Sequence, residues 1–341
     1  MASVILEQPG PAVSMRAAYG EALVDLGRTR PELVVLSADV QSSDFSYLFE
    51  QQFPERFFNV GIAEPALVDV SVGLANAGFI PVANTFAFLF VTRAVEMVRT
   101  HLCYGGANVK LAAAYAGLSD SFDGPTHQTI ADLAILRSLP RMTIVVAADA
   151  LAVRRLLPQV VARDGPVYLR LCRNEVPGIF SEAYDPEIGR GLILREGADA
   201  TLIACGIMVS RALQAAGQLA VQGIAVRVVE MHTIKPLDTE LIERCAKETG
   251  AIVTAEEHSI IGGLGGAVAE CVAERRPVPV ERVGLRDHFA ESGPYEGLLE
   301  KMGLTVAELV SAVHRAMRRK SASAASVAEQ PEQKAGFALQ R

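Results

Sequence analysis

Short, wholly apolar runs alternating with helix-length segments constrain this chain more than any other feature. Residues 33–36, 79–83, 109–113, 142–146 and 167–171 are each strand-sized, and the segments 15–26, 92–103, 129–138 and 150–162 read as helices. A strand apolar on both sides has to be covered on both faces, the condition of a mostly parallel sheet in an α/β fold. The stretch 57–90 anchors the pattern. Residues 57–60 are expected to form a short buried strand, Gly61 breaks it, and Pro65 sits where a first helical turn tolerates a missing N–H. Leu67, Val68, Val72, Leu74 and Ala75 then recur as a packed helix requires.

The chemically useful residues fall in one kind of place. Asp39, Glu64, Phe86, Tyr115 and Arg173 each lie at or just past the C-terminal end of an expected strand. Parallel strands bring those ends to one edge, where open α/β sheets bind ligands. Residues far apart in sequence thus converge there. Pattern alone leaves open whether Glu64 faces a ligand or simply suits the positive end of a helix. Phe86 is expected to present an aromatic face there, while Phe88 and Phe90 read as core. The loop 116–128, with Asp120, Asp123 and His127, is too polar to be filler; taken alone, its histidine reads as a loop hydrogen-bonder.

Residues 1–11 read as a loose N-terminal arm, and 41–44 as a polar loop. The polar stretch 177–189, containing Pro186, reads as a linker to a second α/β unit. That unit has expected strands at 200–204, 225–229, 251–255 and 278–283, with helices at about 209–221 and 295–318. Residues 231–238 read as a loop and helix entry. Gly262, Gly263, Gly265 and Gly266 give GGxGG rather than the GxGxxG of a dinucleotide site, so they read as a tight turn with close helix packing. The segment from 321 is rich in Ala, Ser, Glu and Gln without periodicity, which predicts disorder.

Charge and cysteine usage narrow the function. With 32 Lys and Arg against 39 Asp and Glu over 341 residues, the net charge is -7, and no basic surface for nucleic acid stands out. A few focused arginines can still bind a small anion. Five widely spaced cysteines form no CxxC pair and fit a reducing cytoplasm. No zinc-ligand spacing is present, no secretory signal pattern precedes Pro11, and no run of apolar residues is long enough to span a bilayer.

Gly61-Ile62-Ala63-Glu64, then Thr85-Phe86, then Asp123-Gly124-Pro125-Thr126-His127-Gln128 resemble, in that order, the pyrimidine-binding domain of the transketolase family. The resemblance extends over residues 12–315. It implies a thiamine-diphosphate-binding pyrimidine domain with a mostly parallel sheet at 12–180, a linker at 181–190, a smaller α/β transketolase C-terminal domain at 191–318 and a disordered tail at 319–341. It implies that Glu64 reaches the aminopyrimidine of thiamine diphosphate and favours the imino tautomer that acts as local base. Phe86 then stacks on the pyrimidine, Leu89 takes the place of a second aromatic, and Asp39 approaches the thiazole. His127, a second catalytic candidate, and Asp123 contact the donor sugar. Arg16, Ser43 and Arg173 match positions that hold the sugar's far phosphate, and Tyr115 replaces the family's usual histidine there. Taken alone, each arginine reads as a surface ion pair.

In this family a Gly-Asp-Gly followed by a later asparagine holds the diphosphate and magnesium, on a separate domain; the present sequence has no Gly-Asp-Gly and no oxygen-ligand cluster for a metal. The expectation is therefore the C-terminal subunit of a split, cytoplasmic transketolase in an α2β2 assembly. An N-terminal subunit would supply the diphosphate and Mg2+ (or similar ion) contacts. The expected reaction moves a two-carbon ketol unit from a ketose, phosphorylated by expectation, to an aldose. Alternatives are the β subunit of a 2-oxo acid dehydrogenase, a 1-deoxyxylulose-phosphate synthase-like enzyme, an enzyme for a sulfonated or branched sugar, and a noncatalytic scaffold.

Overall fold

The computed structural model describes residues 3–328. Strands run at β1 (Ala12–Ser14), β2 (Leu33–Ser37), β3 (Phe57–Asn59), β4 (Ile80–Phe86), β5 (Lys110–Ala114), β6 (Thr143–Val146), β7 (Val167–Arg170) and β8 (Glu175–Pro177). The second unit adds β9 (Leu192–Arg195), β10 (Ala200–Ala204), β11 (Val226–Glu230), β12 (Thr233–Lys235), β13 (Ile252–Ser259) and β14 (Val280–Leu285). The larger sheet has the order β12-β6-β7-β5-β4-β2-β3, parallel throughout except at β12. The smaller sheet, β14-β13-β10-β11-β9, is parallel except at β9. The fold is mixed α/β with mostly parallel sheets, as the sequence pattern requires.

Alternation along each strand sorts its side chains into two cores. On β2, Leu33 and Val35 enter the layer formed with the helices Met15–Thr29 and Ala150–Ala162. Val34 and Leu36 enter the opposite layer with Leu67, Phe90, Val98 and Leu133. Both layers continue into the second unit, the first through Leu202, Val228 and Leu309, the second through Ile203, Val229 and Val268. The two units therefore share continuous apolar packing on both sides of their sheets.

Several local expectations need correction. The N-terminal segment is not a loose arm: the Leu6 and Gly10 N–H groups donate to the carbonyls of Ile179 and Gly178, and β1 pairs with β8. The linker is packed too, with Phe180 and Tyr184 stacked at 3.8 Å and both buried. Strand β3 is at the sheet edge, so only Phe57 is buried and Phe58 is exposed. The helix Glu64–Asn76 buries Leu67 and Val68, but Val72, Leu74 and Ala75 are half-buried and Val70 is exposed. Residues Gln41–Asp44 make one helical turn instead of a loop, and the helix expected over 92–103 winds as a π-helix from Val98 to Tyr104.

The largest departure is β12. Residues 231–238 contain a strand that leaves the second unit and pairs antiparallel with β6, closing the far edge of the first sheet. Helix Val306–Ala328 runs past the point where the disordered tail was expected to begin, and the rest of that expected tail, 329–341, lies outside the described residues. Among the described residues, no helix is long and apolar enough to cross a membrane.

Candidate functional site

The order of the larger sheet lays out the site. Reading β7-β5-β4-β2-β3 along the C-terminal edge gives Arg173, Tyr115, Phe86, Asp39 and Glu64 in turn. Neighbouring strands are about 4.8 Å apart, so the edge spans roughly 19 Å from β7 to β3.

At the β3 end, Glu64 opens the helix Glu64–Asn76 and is 2% exposed. Arg93 approaches one carboxylate oxygen at 3.6 Å, while the other, Oε1, has no hydrogen-bond partner. The surroundings are not wholly apolar, because Ile62 is 74% exposed and the cation of Arg93 stands beside the acid. Asp39 is exposed, and the Asn59 side chain donates to it at 2.9 Å. Its φ of 61° is in the left-handed region, as are the φ angles of Phe45 (69°) and Tyr115 (61°). Such angles in non-glycine residues cluster at ligand sites.

In the middle, Phe86 is half-buried and its ring lies 4.3 Å from that of Tyr115. Leu89 is buried, and Phe90 belongs to the core edge-on to Tyr168. Phe88, read from sequence as core, is half-buried with its ring 6.1 Å from His127. His127 itself is half-buried beside Thr126 Oγ1 at 3.0 Å, and Asp123 is exposed.

The β7 end gathers the remaining candidates tightly. Arg16 donates to the backbone carbonyls of Ser43 and Arg173 and to the Tyr115 hydroxyl at 3.2 Å. Ser43 therefore contributes its carbonyl here. The Tyr115 ring sits between two cations, 5.1 Å from the Arg16 guanidinium and 4.7 Å from that of Arg173. Arg173 in turn donates to Asp120 at 2.6 Å. Asp120 is fully buried, its second oxygen is unpartnered, and burial with Asp123 alongside pushes its carboxyl up to about 6 against the pull of Arg173 and His127. Sequence reading named Asp120 only as part of a polar loop. Its pairing with Arg173 depends on a tertiary contact across 53 residues.

The second unit holds this loop from behind. Glu257 accepts from the Leu118 N–H and the Tyr295 hydroxyl, both at 2.8 Å, and Gly117 leaves the space its carboxylate occupies. Gly293 donates to the Ser121 carbonyl, and Gln128 donates to that of Glu291. A buried ion pair, Arg170 with Asp132, lies beneath, and Arg170 also reaches the Glu257 carbonyl. The glycine cluster does pack closely. Leu264 and Gly265 donate their N–H groups to Glu256, so a side-chain carboxylate already occupies that helix N-terminus. Among the described residues, no group of three or more His, Cys, Asp or Glu could hold a metal ion.

Residues 11–178 match the family described as transketolase, pyrimidine binding domain, and residues 189–309 match the transketolase C-terminal domain. The chain is 42% identical over 307 residues to the 6-deoxy-6-sulfo-D-fructose transketolase subunit SqwH of Clostridium sp. (strain MSTE9), covering 90% of this chain and 95% of that one. It is 36% identical to one subunit of the apulose-4-phosphate transketolase of Phocaeicola vulgatus, covering 86% of this chain and 94% of the relative. Among solved structures, a split gene transketolase described as an inactive beta4 tetramer superposes with a TM-score of 0.85 at 49% identity, over 90% of this chain and 99% of that one.

Proposed function

The chain belongs to the transketolase family, and from that premise we propose that it is the C-terminal subunit of a split, thiamine-diphosphate-dependent transketolase. It moves a two-carbon ketol unit from a ketose to an aldose. Glu64 carries this reading: a buried acid at a helix mouth, with one oxygen lacking a partner, on the same sheet edge as the half-buried Phe86 ring. An orphaned buried oxygen fits a ring nitrogen that shares a proton with it. Bound thiamine diphosphate supplies the stabilised carbanion that ketol transfer needs. Glu64 holds the proton at the ring nitrogen, Phe86 covers the ring face over the apolar support of Leu89, and Asp39 lies toward the thiazole side. His127 and Asp123 bind and orient the sugar's hydroxyl and carbonyl groups. Arg16, Tyr115, Arg173 and the hydroxyl of Ser43 receive its anionic far end, a phosphate by the sequence expectation.

The diphosphate and a divalent ion fall to a separate N-terminal subunit, in an α2β2 assembly. Support comes from relatives that are themselves subunits or split-gene products and that this chain matches almost end to end. Two of these relatives are described by sugars with different anionic groups, a sulfonate in one and a phosphate in the other. A cytoplasmic location accords with five cysteines that are all free and buried. The test is Glu64→Gln in the reconstituted, thiamine-loaded complex. Ketol transfer falls about 10²–10⁴-fold, the usual worth of a positioned acid–base group. Turnover within a factor of two of the unaltered complex would overturn the assignment.

A further inference from the structure

We propose that Asp120 is a specificity-determining residue that offsets the charge of Arg173 within the anion-receiving cluster, so that the site favours a ketose whose far end carries one negative charge over one that carries a phosphate dianion. This rests on the ketol-transfer reading of the same site. Two guanidinium groups flank Tyr115, yet they are not equivalent. Arg173 is engaged at 2.6 Å by Asp120. Arg16, in contrast, donates to neutral oxygens of Ser43, Tyr115 and Arg173, and no carboxylate lies within ion-pair distance of it among the described residues. Asp120 thus offsets the charge of Arg173, while Arg16 has no carboxylate at ion-pair distance among the described residues.

Asp120 is not free to swing away. It is fully buried, and its loop is tied to the second unit through Ser121, while at Gly124 an added Cβ would lie 2.2 Å from Ser292 Oγ. Its second oxygen has no hydrogen-bond partner, and the Asp123 carboxyl alongside adds further negative charge. A dianion drawn to Arg173 would therefore meet a fixed carboxylate, and like charges in a partly desolvated site repel strongly. A second buried acid, Asp44, feels the charge of Arg16 and is held by the Ser46 N–H, which limits the positive potential further.

The experiment uses the thiamine-loaded two-subunit complex and three ketohexoses alike except at C6, which carries a hydroxyl, a sulfonate or a phosphate. Affinity is read by titration calorimetry and kcat/KM by ketol transfer, at pH 8. The sulfonate should exceed both others by about tenfold or more, the worth of one charge-assisted hydrogen bond or of one repulsion avoided. Asp120→Asn should shift the phosphate-to-sulfonate ratio toward phosphate by about tenfold. A phosphate or hydroxyl analogue that equals the sulfonate overturns the proposal, as does a ratio unmoved by Asp120→Asn in a complex that still binds thiamine diphosphate. Absence of transfer from all three removes the ketol-transfer reading instead, while the order of affinities still decides the charge preference.

Discussion

Tyr115 adopts a backbone angle that costs a bulky residue about 1–2 kcal/mol, and it does so where its ring separates two arginines. Asp39 does likewise two strands away. Nothing in the sequence marks either residue as left-handed, because the conformation is imposed by neighbours distant in the chain. Burial of single acids is equally hidden. Glu230, at the end of β11, is fully buried with, among the described residues, only the Tyr184 hydroxyl for a side-chain partner, and burial pushes its carboxyl up to about 8. A carboxyl raised above its unfolded value is bound to its proton more tightly in the folded state, so its contribution is most favourable below the unfolded value near 4.5. Stability then falls as pH rises toward 8, by a few kcal/mol in order of magnitude. Glu230→Gln should flatten that fall, seen as a smaller difference in Tm between pH 5 and pH 8 than in the unaltered chain.

At the scale of elements, the turn before the helix Leu264–Arg275 shows what a glycine cluster is for. A Cβ on Gly263 would lie 2.0 Å from Glu256 Oε2 and 2.6 Å from His258 Nδ1. Gly263→Ala should expel the carboxylate from the helix N-terminus and cost about 1–3 kcal/mol, measured as a lower urea midpoint. This element was legible because its spacing departs from the dinucleotide pattern. The central strands were legible too, since each is apolar on both faces. β12 was not: Thr233, Ile234 and Lys235 are too few to carry a period, and their pairing with β6 is decided by how the two units dock. The edge strand β3 misled for a related reason, since Phe57 and Phe58 look alike in sequence while only one faces a core. The site residues followed the strand ends, so Glu64, Phe86, Tyr115 and Arg173 could be placed before any coordinates. Their partners Arg93 and Asp120 could not, because each reaches its acid or base across the fold.

For the whole molecule, two layers of apolar packing run through both units and fix the second unit against the loop 116–128. The C-terminal unit thus acts as a brace that holds Asp120, Asp123 and His127 in place. At the β3 end of the same sheet edge, one buried oxygen of Glu64 has no hydrogen-bond partner. The account centres on that carboxylate completing a thiamine pocket together with another polypeptide. Its most direct test is ketol transfer by the purified chain, by its co-expressed diphosphate-binding subunit and by their mixture, each with thiamine diphosphate and magnesium. The account predicts turnover in the mixture alone. Transfer by this chain unaided, or thiamine diphosphate bound to the mixture equally well with and without it, would contradict the account.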